Sequence, residues 1–229
     1  YHKVSVSGLV RGSKNIDWKE YLKRSSAKDV KEVISMQPEF LAAIDRMFSS
    51  VSLEDWKVYL EFHLVNDFSG LLSDTFVQHS FAFYGKVLAG TKEMKPLWRR
   101  VLGTVNGQVG ELLGRIYVKK HFTQEAKRRM NLLVDDLFTA YEARLKSLDW
   151  MTPTTKKKAL LKLRALNRKI GYPDKWKNYT GLEILATDYV GNVIRANEFE
   201  HKRTMKKLNG PVDRGEWFMY PQTVNAYFS

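Results

Sequence analysis

The sequence predicts a mainly α-helical fold that runs into a mixed C-terminal part, and three observations carry that prediction. Apolar residues recur at spacings of three and four along most of the chain. Residues suited to capping a helix stand at the start of those runs. After "KNYTGLEI" the style changes: one more helical stretch, "GNVIRANEFEHKRTMKKLN", is followed by "GPVDRGEWFMYPQTVNAYFS", which reads as a turn and one or two strands. With 229 residues there is room for one large domain or two smaller ones, and 44% apolar residues suffice for a core, which excludes a disordered chain.

The opening "YHKVSVSGLVRGSKN" lacks the apolar stretch of a signal peptide, and its first residue is Tyr1, not Met, which suits a mature or truncated start. Two helices are expected in "SAKDVKEVISMQPEFLAAIDRMFSSVSLEDWKVYLEFHLVNDF". Pro38 belongs in the first turn of one, which carries Leu41, Ile44, Met47 and Phe48 on one face. Ser52 is the N-cap of the next, with Asp55 in the place of the capping-box acid. In "PLWRRVLGTVNGQVGELLGRIYVKKHF", Gly103, Gly107, Gly110 and Gly114 share one helical face, although each glycine costs about 1 kcal/mol against alanine. Leu102, Val105, Val109 and Leu113 flank the stripe, so close helix–helix contact is expected. Arg99, Arg100, Glu111 and Arg115 exclude a membrane dimer face, and the spacing fits no phosphate loop.

Thr123 is placed to cap a long amphipathic helix carrying Ala126, Met130, Leu133, Leu137, Tyr141, Leu145 and Leu148. The next helix starts at the Thr152 cap with Pro153 as its first residue, and Gly171, ahead of Pro173, is its expected terminator. It holds Lys156, Lys157, Lys158, Lys162, Arg164, Arg168 and Lys169, which form either a solvated basic face or an anion-binding surface.

A net charge of +13 bears on solubility and attraction to anions, not on fold. No run of 18 apolar residues exists, so no membrane-spanning segment is read. The absence of cysteine excludes disulfides and thiolate metal sites. The five histidines, His2, His63, His79, His121 and His201, show no H-E-x-x-H or other two-histidine zinc spacing. Glu198 and His201 form a single Glu-x-x-His, whereas a helical di-iron site needs two. Asp135 and Asp136 point about 100° apart on a helix, which makes no acid/base pair. No catalytic constellation is present in these residues.

The tail "MYPQTVNAYFS" is different, because it sets Asn225, a poor strand former, in a strand-like run. An open edge strand can bind an extended peptide as one more strand. A side-chain amide there offers a donor and an acceptor together, and a small neighbour such as Ala226 allows close approach. An ordinary asparagine at a strand end is the other reading.

"PQTVNAYFS" resembles the substrate-binding strand of the neprilysin family of zinc metallopeptidases, with Asn225, Ala226, Tyr227 and Phe228 matching the family's Asn-Ala-aromatic-aromatic motif. The likeness extends in order through "WKVYLEFHLV", "FYGKVLAGTKEMKPLWRRVLGTVNGQVGELLGRIYVKKHF", "LDWMTPTTKKKALLKLRALNRKIGYPDKW" and "VDRGEWFMYPQTVNAYFS". The resemblance implies a large helical covering domain enclosing a cavity for peptides, next to a thermolysin-like α+β catalytic domain. Residues 1–180 are then the covering domain, N-terminally incomplete, and 181–229 the start of the catalytic domain, ending at the substrate-binding edge strand. Asn225 would bond the substrate backbone through its amide, and Ala226 through its main-chain carbonyl. In the whole enzyme a zinc-bound water would be the nucleophile and a glutamate the general base. The family's zinc motif, glutamate ligand and proton-donating histidine lie beyond this strand, so the chain alone is expected to bind no zinc and to be inactive. A complementary C-terminal part carrying the zinc motif is its expected partner, with peptides as substrates and no specific nucleic acid. Absence of cysteine suits a bacterial member without fixing its compartment; an extracytoplasmic place, periplasmic or secreted, is expected, with the cytoplasm as the other reading. A stand-alone basic helical module that binds anions or nucleic acid is the alternative function.

Overall fold

The first elements depart from the helical expectation. In the computed structural model, which describes residues 2–228, β1 (His2–Ser5) pairs antiparallel with β2 (Glu32–Ser35), His2 opposite Ser35 and Ser5 opposite Glu32. Tyr1 and Ser229, on which the expectations about the chain ends fall, lie outside the described residues. The segment around Glu32, to which the spacing assigned no element, is a strand because β-branched Val33 and Ile34 find a partner in the alternating His2–Ser5. Lys3 and Glu32 form an ion pair across this ladder at 2.6 Å. Between the strands lie α1 (Val6–Gly12), whose cap Ser5 accepts from the Gly8 N–H, and α2 (Trp18–Arg24), whose cap Asp17 accepts from the Glu20 N–H.

The helices that follow start where their caps predict. Pro38 opens α3 (Pro38–Ser50). Ser52 caps α4 (Leu53–Phe68) by accepting from the Asp55 N–H at 3.1 Å, and its hydroxyl donates to the Asp55 carboxylate at 2.7 Å. The acid thus returns its bond to the hydroxyl, where a capping box would use the backbone N–H. A short α5 (Asp74–Ser80) runs directly into a π-helical stretch, Phe81–Leu88. Thr123 caps α7 (Gln124–Ser147) and Thr152 caps α8 (Pro153–Ala165), each through its hydroxyl.

Helix α8 ends six residues before the expected terminator. Leu166 is already extended, and the left-handed Gly171 (φ +76°) sits in a turn against the Phe122 ring. Tertiary bonds replace the missing helical turn: Arg168 pairs with Asp135, and Asn167 and Lys169 donate to backbone carbonyls of the tail. The predicted last helix is α9 (Tyr189–Met205), capped by Asp188.

Two compact units result. The first comprises Tyr1–Leu97 and Gly181–Pro211, the second Trp98–Thr180 and Val212–Ser229. Both are discontinuous in sequence. The first unit buries Val77, Val193 and Ala196. Its α4 exposes Leu53, Tyr59, Leu60, Phe62 and Leu64 around the helix, the pattern of a helix that other structure surrounds. In the second unit no Val, Leu, Ile, Phe, Met or Trp among the described residues is fully buried. Helices α7 and α8 pack antiparallel there, joined by Arg164–Glu142 at 2.9 Å and by Lys156 donating to the Lys146 carbonyl at 2.9 Å. Lys146 and Arg164 together hold the Glu142 carboxyl below the usual range.

One buried carboxylate organises the start of the first unit. Asp45 on α3 accepts from the Lys14 N–H at 3.0 Å, the Asn15 N–H at 2.9 Å and the Ile16 N–H at 3.1 Å. These bonds favour the charged form and hold its pKa below the ordinary value, against the effect of burial. A folded pKa lowered in this way contributes stability above the unfolded value, near 3.9, that is lost as pH falls through the folded pKa. Asp45→Ala should therefore lower the melting temperature at pH 7 and flatten its dependence on pH below about 4, as thermal melts from pH 7 to 3 would record.

Candidate functional site

The tail that carries Asn225 is built onto the second unit from two directions. Near its start, Asn167 donates to the Arg214 carbonyl at 2.7 Å, and the Lys169 ammonium donates to the Glu216 carbonyl. Further on, Tyr220, Pro221 and Gln222 lie on α6 (Leu97–His121), which is bent at Val109 (φ −131°, ψ 32°). Gln222 Nε2 donates to Asn106 Oδ1 at 2.5 Å and to the Gly110 carbonyl at 2.9 Å.

The glycine stripe is thus only half used, and its partner is extended chain, not a helix. A Cβ on Gly110 would stand 2.4 Å from the Tyr220 ring, and one on Gly114 would stand 2.8 Å from the Pro221 ring. Around Gly103 and Gly107 the space is open. The expected helix–helix contact is replaced by a seat for side chains of the tail: Tyr220 and Pro221 lie over the two glycines, and Asn106 accepts from the Gln222 side-chain amide. Sequence spacing missed Asn106 and Gln222. The signal was an amide on the face of a glycine stripe, where pure helix packing would favour an apolar residue.

The expected C-terminal strand does not form. Residues 223–228 have no ladder bonds among the described residues, since no strand of the second unit lies beside them. Asn225 and Ala226 are exposed, as are Val224 and Phe228. The Asn225 N–H donates to the Thr223 carbonyl at 3.1 Å, and Asn225 Oδ1 accepts from the Ala226 N–H at 2.8 Å. Tyr227 folds back: its hydroxyl accepts from the Phe218 N–H at 3.3 Å, and the two rings meet edge to face.

The other candidate groups are dispersed. His201 Nε2 lies 3.2 Å from the Ser25 carbonyl, Glu198 pairs with Lys202, and Asp135 pairs with Arg168. No three His, Cys, Asp or Glu side chains among the described residues are grouped to hold a metal ion. No helix among them is long and apolar enough to cross a membrane. Of the basic cluster on and after α8, Lys156, Arg164, Arg168 and Lys169 bond within the chain, while Lys157, Lys158 and Lys162 face outward.

Comparison with known proteins decides the family. Residues 1–173 match the sequence profile of Peptidase family M13. The chain belongs to this family. It is 31% identical over its whole length to 35% of a neutral endopeptidase of Lactobacillus helveticus. It is 31% identical over 89% of its length to 28% of human neprilysin. The zinc metalloprotease ZMP1 of Mycobacterium tuberculosis in its open state superposes on the whole M13 chain with a TM-score of 0.90 and 38% identity, and the match covers 36% of that protein. The inhibitor complex of ZMP1 gives a TM-score of 0.87 at 37% identity. The M13 chain spans about a third of the length of the relatives it matches.

The anchoring of the tail by Asn167 is open to a direct check. Loss of one such bond, about 1 kcal/mol, should raise tryptic cleavage after Arg214 about fivefold in Asn167→Ala, while cleavage elsewhere in the chain keeps its rate.

Proposed function

We propose that this chain forms the cavity wall and the substrate-backbone-binding segment of a zinc-dependent endopeptidase that cleaves short peptides, and that a C-terminal polypeptide carrying the zinc site completes it. The observation that carries the reading is the seated tail: Gln222 fixes the chain three residues ahead of Asn225, and the Asn225–Ala226 pair then stands exposed with backbone groups outside any ladder. An extended peptide lying beside such a segment gains main-chain bonds, and the Asn225 amide can serve one peptide unit as donor and acceptor. Membership of the M13 family and the zinc metalloprotease ZMP1 as a structural relative support the same assignment. In this reading the zinc ligands are assigned to the completing polypeptide.

The exposed apolar surface supports the need for that polypeptide. Trp217, Phe218, Tyr220, Val224, Tyr227 and Phe228 lie within twelve residues of tail, none of them fully buried. Covering six such side chains is worth on the order of 10 kcal/mol before ordering costs, at roughly 1.5–3 kcal/mol each. The chain expressed by itself should self-associate, and co-expression with the zinc-bearing part should yield a monodisperse complex by size exclusion with light scattering. A monomeric chain with a cooperative melt of its own would remove the requirement.

Activity tests the rest. The completed protein should hydrolyse short peptides in a chelator-sensitive manner. Asn225→Ala should lower kcat/KM about tenfold, the loss expected for one or two hydrogen bonds. Full activity in that variant would take Asn225 out of substrate binding, and metal-independent or absent hydrolysis would overturn the proposal.

A further inference from the structure

We propose that Asn106, Gly110 and Gly114 of α6 are positioning residues for the peptide-binding tail and act through Tyr220, Pro221 and Gln222. This rests on the reading that the tail binds peptide. Gly110 and Gly114, spaced by four beyond the bend at Val109, stand one above the other on a single face of α6, and Asn106, just before the bend, meets the same Gln222 amide. The tail crosses that face at van der Waals distance only because two Cβ atoms are missing. At Gly110 a Cβ would meet Tyr220 Cε2 at 2.4 Å. At Gly114 it would meet Pro221 Cδ at 2.8 Å and Gln222 Oε1 at 2.9 Å. Gln222 then ties the tail down with two donated bonds, to Asn106 Oδ1 at 2.5 Å and to the Gly110 carbonyl at 2.9 Å.

The contrast within the stripe identifies the function of these positions. Gly103 and Gly107 lie on the same helix and meet nothing within 4 Å, whereas the two glycines under the tail admit no side chain without displacing it. From Gln222 to Asn225 is three residues, about 10 Å of extended chain. A seat at Gln222 therefore confines where Asn225 and Ala226 can stand. If it is lost, the tail must be ordered each time a peptide binds, and apparent affinity falls with the fraction of chains holding the tail in place.

The experiment uses the chain joined to its zinc-bearing part. The chain has no cysteine, so a spin-label pair at Lys119→Cys and Thr223→Cys reports the tail against α6. Gly110→Ala and Gly114→Ala should broaden the distance distribution and raise KM for a short peptide about tenfold with kcat unchanged, if they leave about a tenth of the tails seated. Tyr220→Ala makes room for the added methyl, so Gly110→Ala/Tyr220→Ala should recover more of the narrow distribution than Gly110→Ala retains. Gly103→Ala and Gly107→Ala are the controls and should leave both readouts unchanged. An unchanged distribution in both Gly110→Ala and Gly114→Ala would overturn the seat. A broadened distribution with unchanged KM would uphold the seat and overturn the tail's part in peptide binding.

Discussion

The close approach of the tail to α6 is the constraint on which the rest of the second unit depends. Irregular chain carries backbone donors and acceptors that a helix satisfies internally, so each turn of it needs partners from elsewhere. The second unit supplies them at two points, Asn167 for the Arg214 carbonyl and Lys169 for the Glu216 carbonyl, and it holds the Gln222 side-chain amide with Asn106 and the Gly110 carbonyl. The early end of α8 and the bend of α6 belong to the same arrangement. Had α8 continued to Gly171, Asn167 and Lys169 would stand on a helix surface and could not hold the tail as they do.

Lysine and arginine serve the same purpose across the second unit. That unit holds twenty Lys and Arg against nine Asp and Glu, a net +11, while the first unit holds eighteen against sixteen, a net +2. Several of the cations are donors to carbonyls outside the regular ladder: Lys127 to Tyr172 at 2.8 Å and Lys169 to Glu216 in irregular chain, and Lys156 to Lys146 in the last turn of α7. A flexible ammonium can reach a carbonyl that no backbone N–H can. Part of the positive charge that suggests an anionic partner is therefore structural, and the exposed cations of α8 are Lys157, Lys158, Lys162 and Arg164, the last paired with Glu142.

How far the sequence disclosed this depends on the range of each interaction. Helix starts were legible because Ser52, Thr123 and Thr152 act on N–H groups three residues away. The end of α8 was not, since Asn167, Arg168 and Lys169 answer to Arg214, Asp135 and Glu216. The β1–β2 ladder was missed for the same reason, its partners being some thirty residues apart. Asp45 left a trace: it interrupts the apolar set of Leu41, Ile44 and Phe48, and a carboxylate so placed must find donors. The proposed role of Asn225 and Ala226 rests on resemblance, because spacing alone admits an ordinary strand end.

The unformed strand also has a physical reason. A strand exists through its neighbours, and residues 223–228 have no neighbouring strand among the described residues of their own unit, so the tail satisfies itself locally. Asn225 Oδ1 takes the Ala226 N–H, and the Tyr227 hydroxyl takes the Phe218 N–H. Each such bond is worth about 1 kcal/mol net, little against the main-chain bonds an adjoining strand or a bound peptide would offer together. For the Asn225 amide to clamp a peptide with both its groups, Oδ1 must first release the Ala226 N–H. The local bond is thus a weak competitor: it satisfies the free tail, and its cost to a substrate is small. The seat at Gln222 carries the opposite bias, since two glycines and two hydrogen bonds hold the chain just ahead of the pair. A segment anchored firmly at one end and satisfied only weakly at the other can accept a neighbour without surrendering its position.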